Sequence, residues 1–445
     1  MNEILLLNGI LVNEGRVFES DLLIRGDRIE RIDPDLSHIP VNKVIDLNGS
    51  YVLPGLIDDQ VHLREPGMTH KGTILSESQA AICGGVTSFL EMPNTSPPTI
   101  TLKAIEDKKN RANGNSFANY GFYLGATNDN LEDIKNISKN DACGIKVFMG
   151  ASTGNMLVDD HEALENIFRY SPLIIATHCE DSPTIWKNEK IFKERYTSNL
   201  SIEHHPSIRS EEACFKSSSL AVGLAKKYDS RLHVLHLSTK KELGLFSKGD
   251  LIDKKITAEA CVHHLWFDES DYASLGNKIK CNPSIKSIID KKALINAVNE
   301  DIIDIIATDH APHTLEEKKQ PYLLAPSGLP LVQHSLLMLL QYYHQGLFSL
   351  EKIVSKACHN PARLFSIKER GFLREGFYAD IVVADLSKKH DISKENLRYK
   401  CGWSPLEGLS MSSSVIMTVL NGKIVSQNGK ILGTAEGREL EFNYD

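Results

Sequence analysis

The chain has 445 residues, with 50 Lys+Arg against 58 Asp+Glu and a formal net charge of −8; 41% of it is hydrophobic and 24% charged. That is the composition of a globular protein able to build a large core, and its acidic balance argues against a polyanion-binding surface. Nowhere does an apolar run approach the ~20 residues of a membrane span, and the eight cysteines form no C-x-x-C pair.

The N-terminus offers only a four-residue apolar run behind Glu3, which is not a secretory leader. Scattered cysteines in so long a chain suit a reducing cytoplasm. The expectation is a cytoplasmic enzyme with a small-molecule substrate, no nucleic acid and no membrane.

The first fifty residues read as β-structure. Short apolar or alternating runs at 4–7, 10–12, 21–24 and 28–32 are separated by Asn8-Gly9, Glu14-Gly15 and Gly26-Asp27, which are hairpin signals. The C-terminus repeats the style. A run at 381–384 precedes 415–420, which leads through Asn421-Gly422 into 423–425, and Asn428-Gly429 precedes Ile431. One β-module built from both ends of the chain is expected.

Between these ends, eight apolar runs alternate with helical patterns. The runs lie at 51–57, 86–91, 120–124, 144–148, 173–176, 232–235, 255–258 and 302–307, with helical segments such as 211–227 and 290–299. Eight strands over a span near ~250 residues are the pattern of a (β/α)8 TIM barrel. An open doubly wound sheet would also alternate, but no G-x-G-x-x-G follows the first strand. Helical segments at 333–345 and 350–364 close the unit. The expected organisation is 1–51 and 369–445 as two halves of a β-sandwich, bracketing the 52–368 barrel.

Barrel active sites lie at the C-terminal ends of the strands. There the sequence has Asp58-Asp59-Gln60-Val61-His62-Leu63-Arg64-Glu65-Pro66-Gly67, then Met92-Pro93-Asn94-Thr95, then Lys146 inside Gly144-Ile145-Lys146-Val147-Phe148. Next come His178, His236 and Ala307-Thr308-Asp309-His310-Ala311-Pro312-His313. Singly, each has a bland account: a hydrogen-bonded histidine, an aspartate capping the next helix, a snorkelling lysine. Three imidazoles, a carboxylate and a buried lysine at one end of separate strands point instead to a metal centre of zinc type. The lysine must then be neutral or modified. Its amine can add CO₂ to form a carbamate, whose two oxygens can each hold one metal of a bridged pair.

These segments resemble the cyclic amidohydrolases of the amidohydrolase superfamily, and within them the dihydroorotases. The resemblance covers essentially the whole chain. Its most specific pieces are 58–67, 92–95, 307–313 and Lys400-Cys401-Gly402-Trp403-Ser404-Pro405. Arg64 discriminates inside the superfamily, since allantoinase-like sequences usually carry Asn there and hydantoinase-like ones lack the R-E-P-G continuation. The resemblance implies two Zn²⁺ ions, one held by His62, Lys146 and Asp309, the other by carboxylated Lys146 with His178 and His236. It implies substrate binding by Arg64, Asn94, Asn282 and His313, and Asp309 as the catalytic carboxylate. One departure stands out: the family's first strand reads His-x-His, and here Gln60 replaces the first imidazole, a weaker donor if it is a ligand at all.

The implied reaction is reversible cyclisation of N-carbamoyl-L-aspartate to (S)-dihydroorotate in pyrimidine biosynthesis, with Asp309 moving the proton. Two competing readings are another cyclic amidase of hydantoinase, dihydropyrimidinase or allantoinase type, and a non-catalytic homologue supporting aspartate transcarbamoylase. Survival of His62, Lys146, His178, His236 and Asp309 favours the enzyme. A homodimer is expected, with association with aspartate transcarbamoylase as the partner reading. Four further expectations concern outlying residues. The segment 315–328 covers the site as a lid, and His263, His264, Glu259 and Cys179 serve structural or supporting roles. His204-His205 is an exposed pair, and Trp403 packs.

Overall fold

The computed structural model describes residues 2–150 and 156–443. Eight parallel strands form the central sheet in sequential order: β1 (Leu56–Val61), β2 (Val86–Glu91), β3 (Asn119–Gly125), β4 (Gly144–Phe148), β5 (Ile175–His178), β6 (Leu232–Val234), β7 (Ile256–Cys261) and β8 (Ile305–Ala307). Between β8 and β1 the ladder thins to one bridge, Val61 with His310, and His62 N donates to His310 O at 2.7 Å. The expected barrel is borne out, nearly closed.

The helices between strands start on caps legible in the sequence. Thr73, Asp160, Asp181, Ser210 and Ser287 each accept a backbone N–H from the first turn of the helix they precede. Asp181 is the bland case made real, a carboxylate just past a strand that serves as a cap.

The two ends of the chain build one separate nine-stranded sheet. Its path runs Lys430–Ile431, Lys423–Gln427, Ser414–Leu420, Ile381–Asp385, Tyr51–Pro54, Glu3–Asn13, Arg16–Arg25, Arg28–Asp33, with Lys43–Asp46 added beside Glu3–Asn13. Ile4, Leu6, Leu22, Ile24, Val52, Ile381, Val383 and Val419 form its apolar core. The hairpins at Glu14-Gly15, Gly26-Asp27, Asn421-Gly422 and Asn428-Gly429 form as read.

Two local readings need correction. Asn8-Gly9 is a bulge inside one long strand, with the pairing slipping between Leu6 and Gly9, because Asn8 N finds the Asp21 carboxylate at 2.8 Å. A Cβ on Gly9 would meet Val52 at 2.9 Å, so the bulge depends on glycine for close approach. The apolar run 51–57 is not one strand either. It divides at Gly55, where a Cβ would fall 2.1 Å from Thr87 Oγ1, so Tyr51–Pro54 joins the terminal sheet and β1 joins the barrel.

A buried lock ties sheet to barrel. Asp380 pairs with Arg370, accepts from Asn421 N at 2.8 Å and accepts from Asn119 Nδ2 at 3.0 Å. Among the described residues no helix is long and apolar enough to cross a membrane.

Candidate active site

The ten residues singled out in the sequence converge. Gln60, His62, Arg64, Asn94, Lys146, His178, His236, Asn282, Asp309 and His313 all line one cavity of about 240 Å³ at the C-terminal ends of the barrel strands. Parallel strands buried on both faces carry most of them there: Gln60, Lys146 and His178 lie within strands, His62, Arg64, Asn94, His236 and Asp309 lie just past strand ends, and Asn282 and His313 come from the segments that follow β7 and β8.

The floor holds donors in converging pairs. His62 Nδ1 lies 2.6 Å from Asn94 Oδ1, and its Nε2 lies 3.0 Å from Asp309 Oδ1. An amide oxygen only accepts, so Nδ1 carries a ring hydrogen, and Nε2 faces the carboxylate. Burial holds His62 below the usual imidazole range. His178 Nδ1 and His236 Nε2 lie 3.0 Å apart, with His178 Nε2 turned to Glu180 Oε2 at 3.0 Å and His236 Nδ1 without a hydrogen-bond partner among the described residues. This donor set of three imidazoles, a carboxylate and Lys146 fits divalent metal.

Lys146 is 1% exposed, with Nζ 4.7 Å from the Phe148 ring centre. Burial pushes its ammonium down to about 8, which makes the neutral amine accessible near neutrality. Burial alone would raise Asp309, but the hydrogen bond and charge of His62 hold it below the usual carboxylate value.

Gln60 is not aimed as a ligand. Its Nε2 donates to Asp309 Oδ1 at 3.2 Å, and its Oε1 faces Cys261 Sγ at 3.8 Å. Three site residues have left-handed backbones, Arg64 (φ 72°), His236 (φ 41°) and Asp309 (φ 46°). Such conformations in non-glycine residues persist only where the surroundings hold them. Glu259 does so for His236, accepting its N–H at 2.9 Å.

Beneath the floor, Asp59, His233 and Glu259 form a buried ionic cluster. Burial opposes charge on His233, yet Asp59 at 3.2 Å and Glu259 at 3.7 Å hold its pKa up to about 9.

The opposite wall carries cations. Arg64 Nε donates to Pro312 O at 3.0 Å, Lys71 Nζ donates to His313 Nδ1 at 3.0 Å, and Trp403 Nε1 donates to His313 O at 2.7 Å. Trp403 thus does more than pack. Pro326, Ser327 and Gly328, from the segment expected to cover the site, line the cavity. Lys318 fastens that segment by donating to Lys280 O, Pro326 O and Gly328 O.

Sequence reasoning missed Lys71, Met68 and Phe148 as lining residues, and it misread His205. That residue is buried, its Nε2 donating to Cys281 O and its Nδ1 accepting from Tyr322 Oη, both at 2.9 Å. It joins the Asn282 loop to the covering segment. Only its place before Pro206 was visible in the sequence, and that suggested a surface turn.

The chain matches the model of the amidohydrolase family over residues 51–425. A curated dihydroorotase from Methanosphaera stadtmanae is 33% identical over 389 residues, 87% of this chain and 88% of that protein. One from Pyrococcus abyssi is 32% identical over 439 residues, 98% of each. Among solved structures, the L-hydantoinase (dihydropyrimidinase) from Arthrobacter aurescens superposes with a TM-score of 0.94 at 26% identity, covering 99% of this chain and 100% of that one. The dihydropyrimidinase from Brevibacillus agri gives 0.91 at 25%, covering all of both chains.

Proposed function

The chain belongs to the amidohydrolase family, and from that premise we propose that it is a dihydroorotase, closing N-carbamoyl-L-aspartate to (S)-dihydroorotate reversibly. Residues 52–368 form the catalytic barrel in this reading, with 1–51 and 369–445 as its companion unit. The observation that carries it is the pairing, in one cavity, of Arg64 and His313 on one wall with Asp309, Lys146, His178 and His236 on the floor.

His62, Lys146 and Asp309 would hold one zinc ion, and the Lys146 carbamate with His178 and His236 the second. When bound, such ions lower the pKa of water and polarise the amide carbonyl. In the hydrolytic direction Asp309 takes a proton from the attacking water and delivers it to the departing ring nitrogen. Its lowered pKa keeps it ionised for the first transfer. Arg64 binds the ring carboxylate, because its planar fork supplies two parallel N–H donors. Asn94 and Asn282 border the ring, Asn282 with an amide oxygen that has no partner among the described residues. Pro326, Ser327 and Gly328 limit water above it.

The likeness to hydantoinases is consistent with the rival reading, another cyclic amidase, without supporting it better than the dihydroorotase relatives support this one. A cationic wall argues against the rival, since an unmet guanidinium in a buried site penalises a ring without a carboxylate. Exposed Trp186, Ile289 and Leu324 support proposing a homodimer, and aspartate transcarbamoylase as a partner belongs to the same proposal. Eight free cysteines, seven of them buried, support a reducing cytoplasm.

The test is turnover of dihydroorotate, dihydrouracil and hydantoin by metal-analysed protein. Preference for dihydroorotate supports the proposal; preference for either uncharged ring overturns it.

A further inference from the structure

The geometry points to Lys71 as the residue that fixes the tautomer of His313 and thereby keeps Arg64 free for a substrate carboxylate. This inference rests on the proposed function and deepens it. Lys71 lies in the loop after β1, is 9% exposed and borders the cavity. Its Nζ sits 3.0 Å from His313 Nδ1 and 3.0 Å from Glu317 Oε1.

An ammonium has hydrogens and no lone pair, so His313 Nδ1 must be the acceptor. The neutral ring then carries its hydrogen on Nε2, which donates to Ser327 O at 2.9 Å. Arg64 Nη2 lies 3.0 Å from that same Nε2. Two N–H groups in that position cannot bond to each other. Because the Nε2 hydrogen is spent on Ser327 O, the Arg64 Nη2 hydrogens find no acceptor on His313 and stay available to one brought by a ligand.

The other tautomer would undo this. With the hydrogen on Nδ1, the ring would turn it toward Glu317 Oε2, 3.7 Å away. Nε2 would then offer its lone pair to Arg64, and the guanidinium would satisfy itself on the protein. Glu317 favours that state, and Lys71 opposes it by occupying Nδ1. The charges of Arg64, Lys71 and Glu317 sum to +1, which matches one carboxylate. The ligand class is a cyclic amide bearing a single ring carboxylate. Lys71 is a positioning residue here, acting through His313.

The experiment uses the metal-loaded full chain. We expect Lys71→Met to raise KM for dihydroorotate roughly 10–100-fold, the size of one lost charge-assisted hydrogen bond, with kcat within about threefold. Lys71→Arg, still a pure donor, should stay within about threefold of wild type in KM. Adding Glu317→Gln to Lys71→Met should recover part of the lost KM, because the group favouring the wrong tautomer is gone. Calorimetry with orotate and uracil should find the wild-type preference for orotate reduced in Lys71→Met. An unchanged KM in Lys71→Met, an equal fall in kcat and kcat/KM, failure of Lys71→Arg, or no recovery in the double variant would each overturn the inference. If wild type does not turn over dihydroorotate, the functional reading fails on its own. The orotate-against-uracil comparison still decides the role of Lys71.

Discussion

Gln60 donates its side-chain amide to Asp309 Oδ1 at 3.2 Å, and that same oxygen lies 3.0 Å from His62 Nε2. Where the family resemblance implies an imidazole, this chain has a hydrogen-bond donor to the carboxylate. Gln60 therefore stabilises the ionised Asp309, and in the proposed metal site it would leave the neighbouring ion one donor poorer.

In the proposed mechanism Asp309 carries two duties, ligand and proton carrier. Asp309→Asn is expected to lower kcat by ~10²–10⁴-fold or more, the range of lost general acid–base catalysis. Metal content should fall with it. Steady-state rates measured beside metal analysis check both, and near-normal turnover with full metal would refute the assignment.

A chelator titration tests the floor. The ion next to Gln60 should leave first, because an amide is a poorer zinc donor than imidazole and here points its oxygen at Cys261. Gln60→His should retain metal at higher chelator without abolishing turnover. Lys146→Ala should lose the two-ion state and activity together, and a small carboxylic acid should restore part of each. Two ions retained in Lys146→Ala would remove the bridge from the proposal.

Arg64 has a left-handed backbone, φ 72°, that any replacement inherits, so Arg64→Lys reads the side chain alone. An ammonium cannot make the parallel pair of hydrogen bonds. We expect a fall in kcat/KM for dihydroorotate and no gain for dihydrouracil, measured side by side.

The lock between sheet and barrel predicts a stability effect with no catalytic role. Asp380→Ala leaves Arg370, 4% exposed, with a buried charge that has lost its counter-ion. Breaking such a pair costs about 3–5 kcal/mol. The urea midpoint should drop accordingly. Replacing both partners by apolar residues should recover part of the loss.

The barrel and the gathering of the site were legible because strand ends are set by short apolar runs, and the functional residues stand on or just past those ends. Lys146, in the middle of the Gly144–Phe148 run, was conspicuous for being charged where all else is apolar. What escaped notice depends on loops from distant parts of the chain. His205 looks like a polar residue before a proline until Tyr322 and Cys281 close over it, and Lys71 looks like an ordinary surface lysine. The run 51–57 is uniformly apolar, so only the crowding of Gly55 against Thr87 reveals that it serves two sheets. Asn8-Gly9 has hairpin residues, yet the Asp21 carboxylate turns it into a bulge.

The strand Tyr51–Pro54 sits between Glu3–Asn13 and Ile381–Asp385, one glycine before the barrel begins. On the ribosome its first neighbour is made early and its second only near the end of translation. The nascent protein therefore carries an open strand edge, lined by Tyr51 and Val52, through most of its synthesis. Such an edge is a template for pairing with other chains. Premature release before residues 381–385 emerge should yield aggregated fragments, whereas chaperone holding of the first fifty residues should raise the yield of native protein. The timing of translation thus becomes part of how this catalyst reaches its working form.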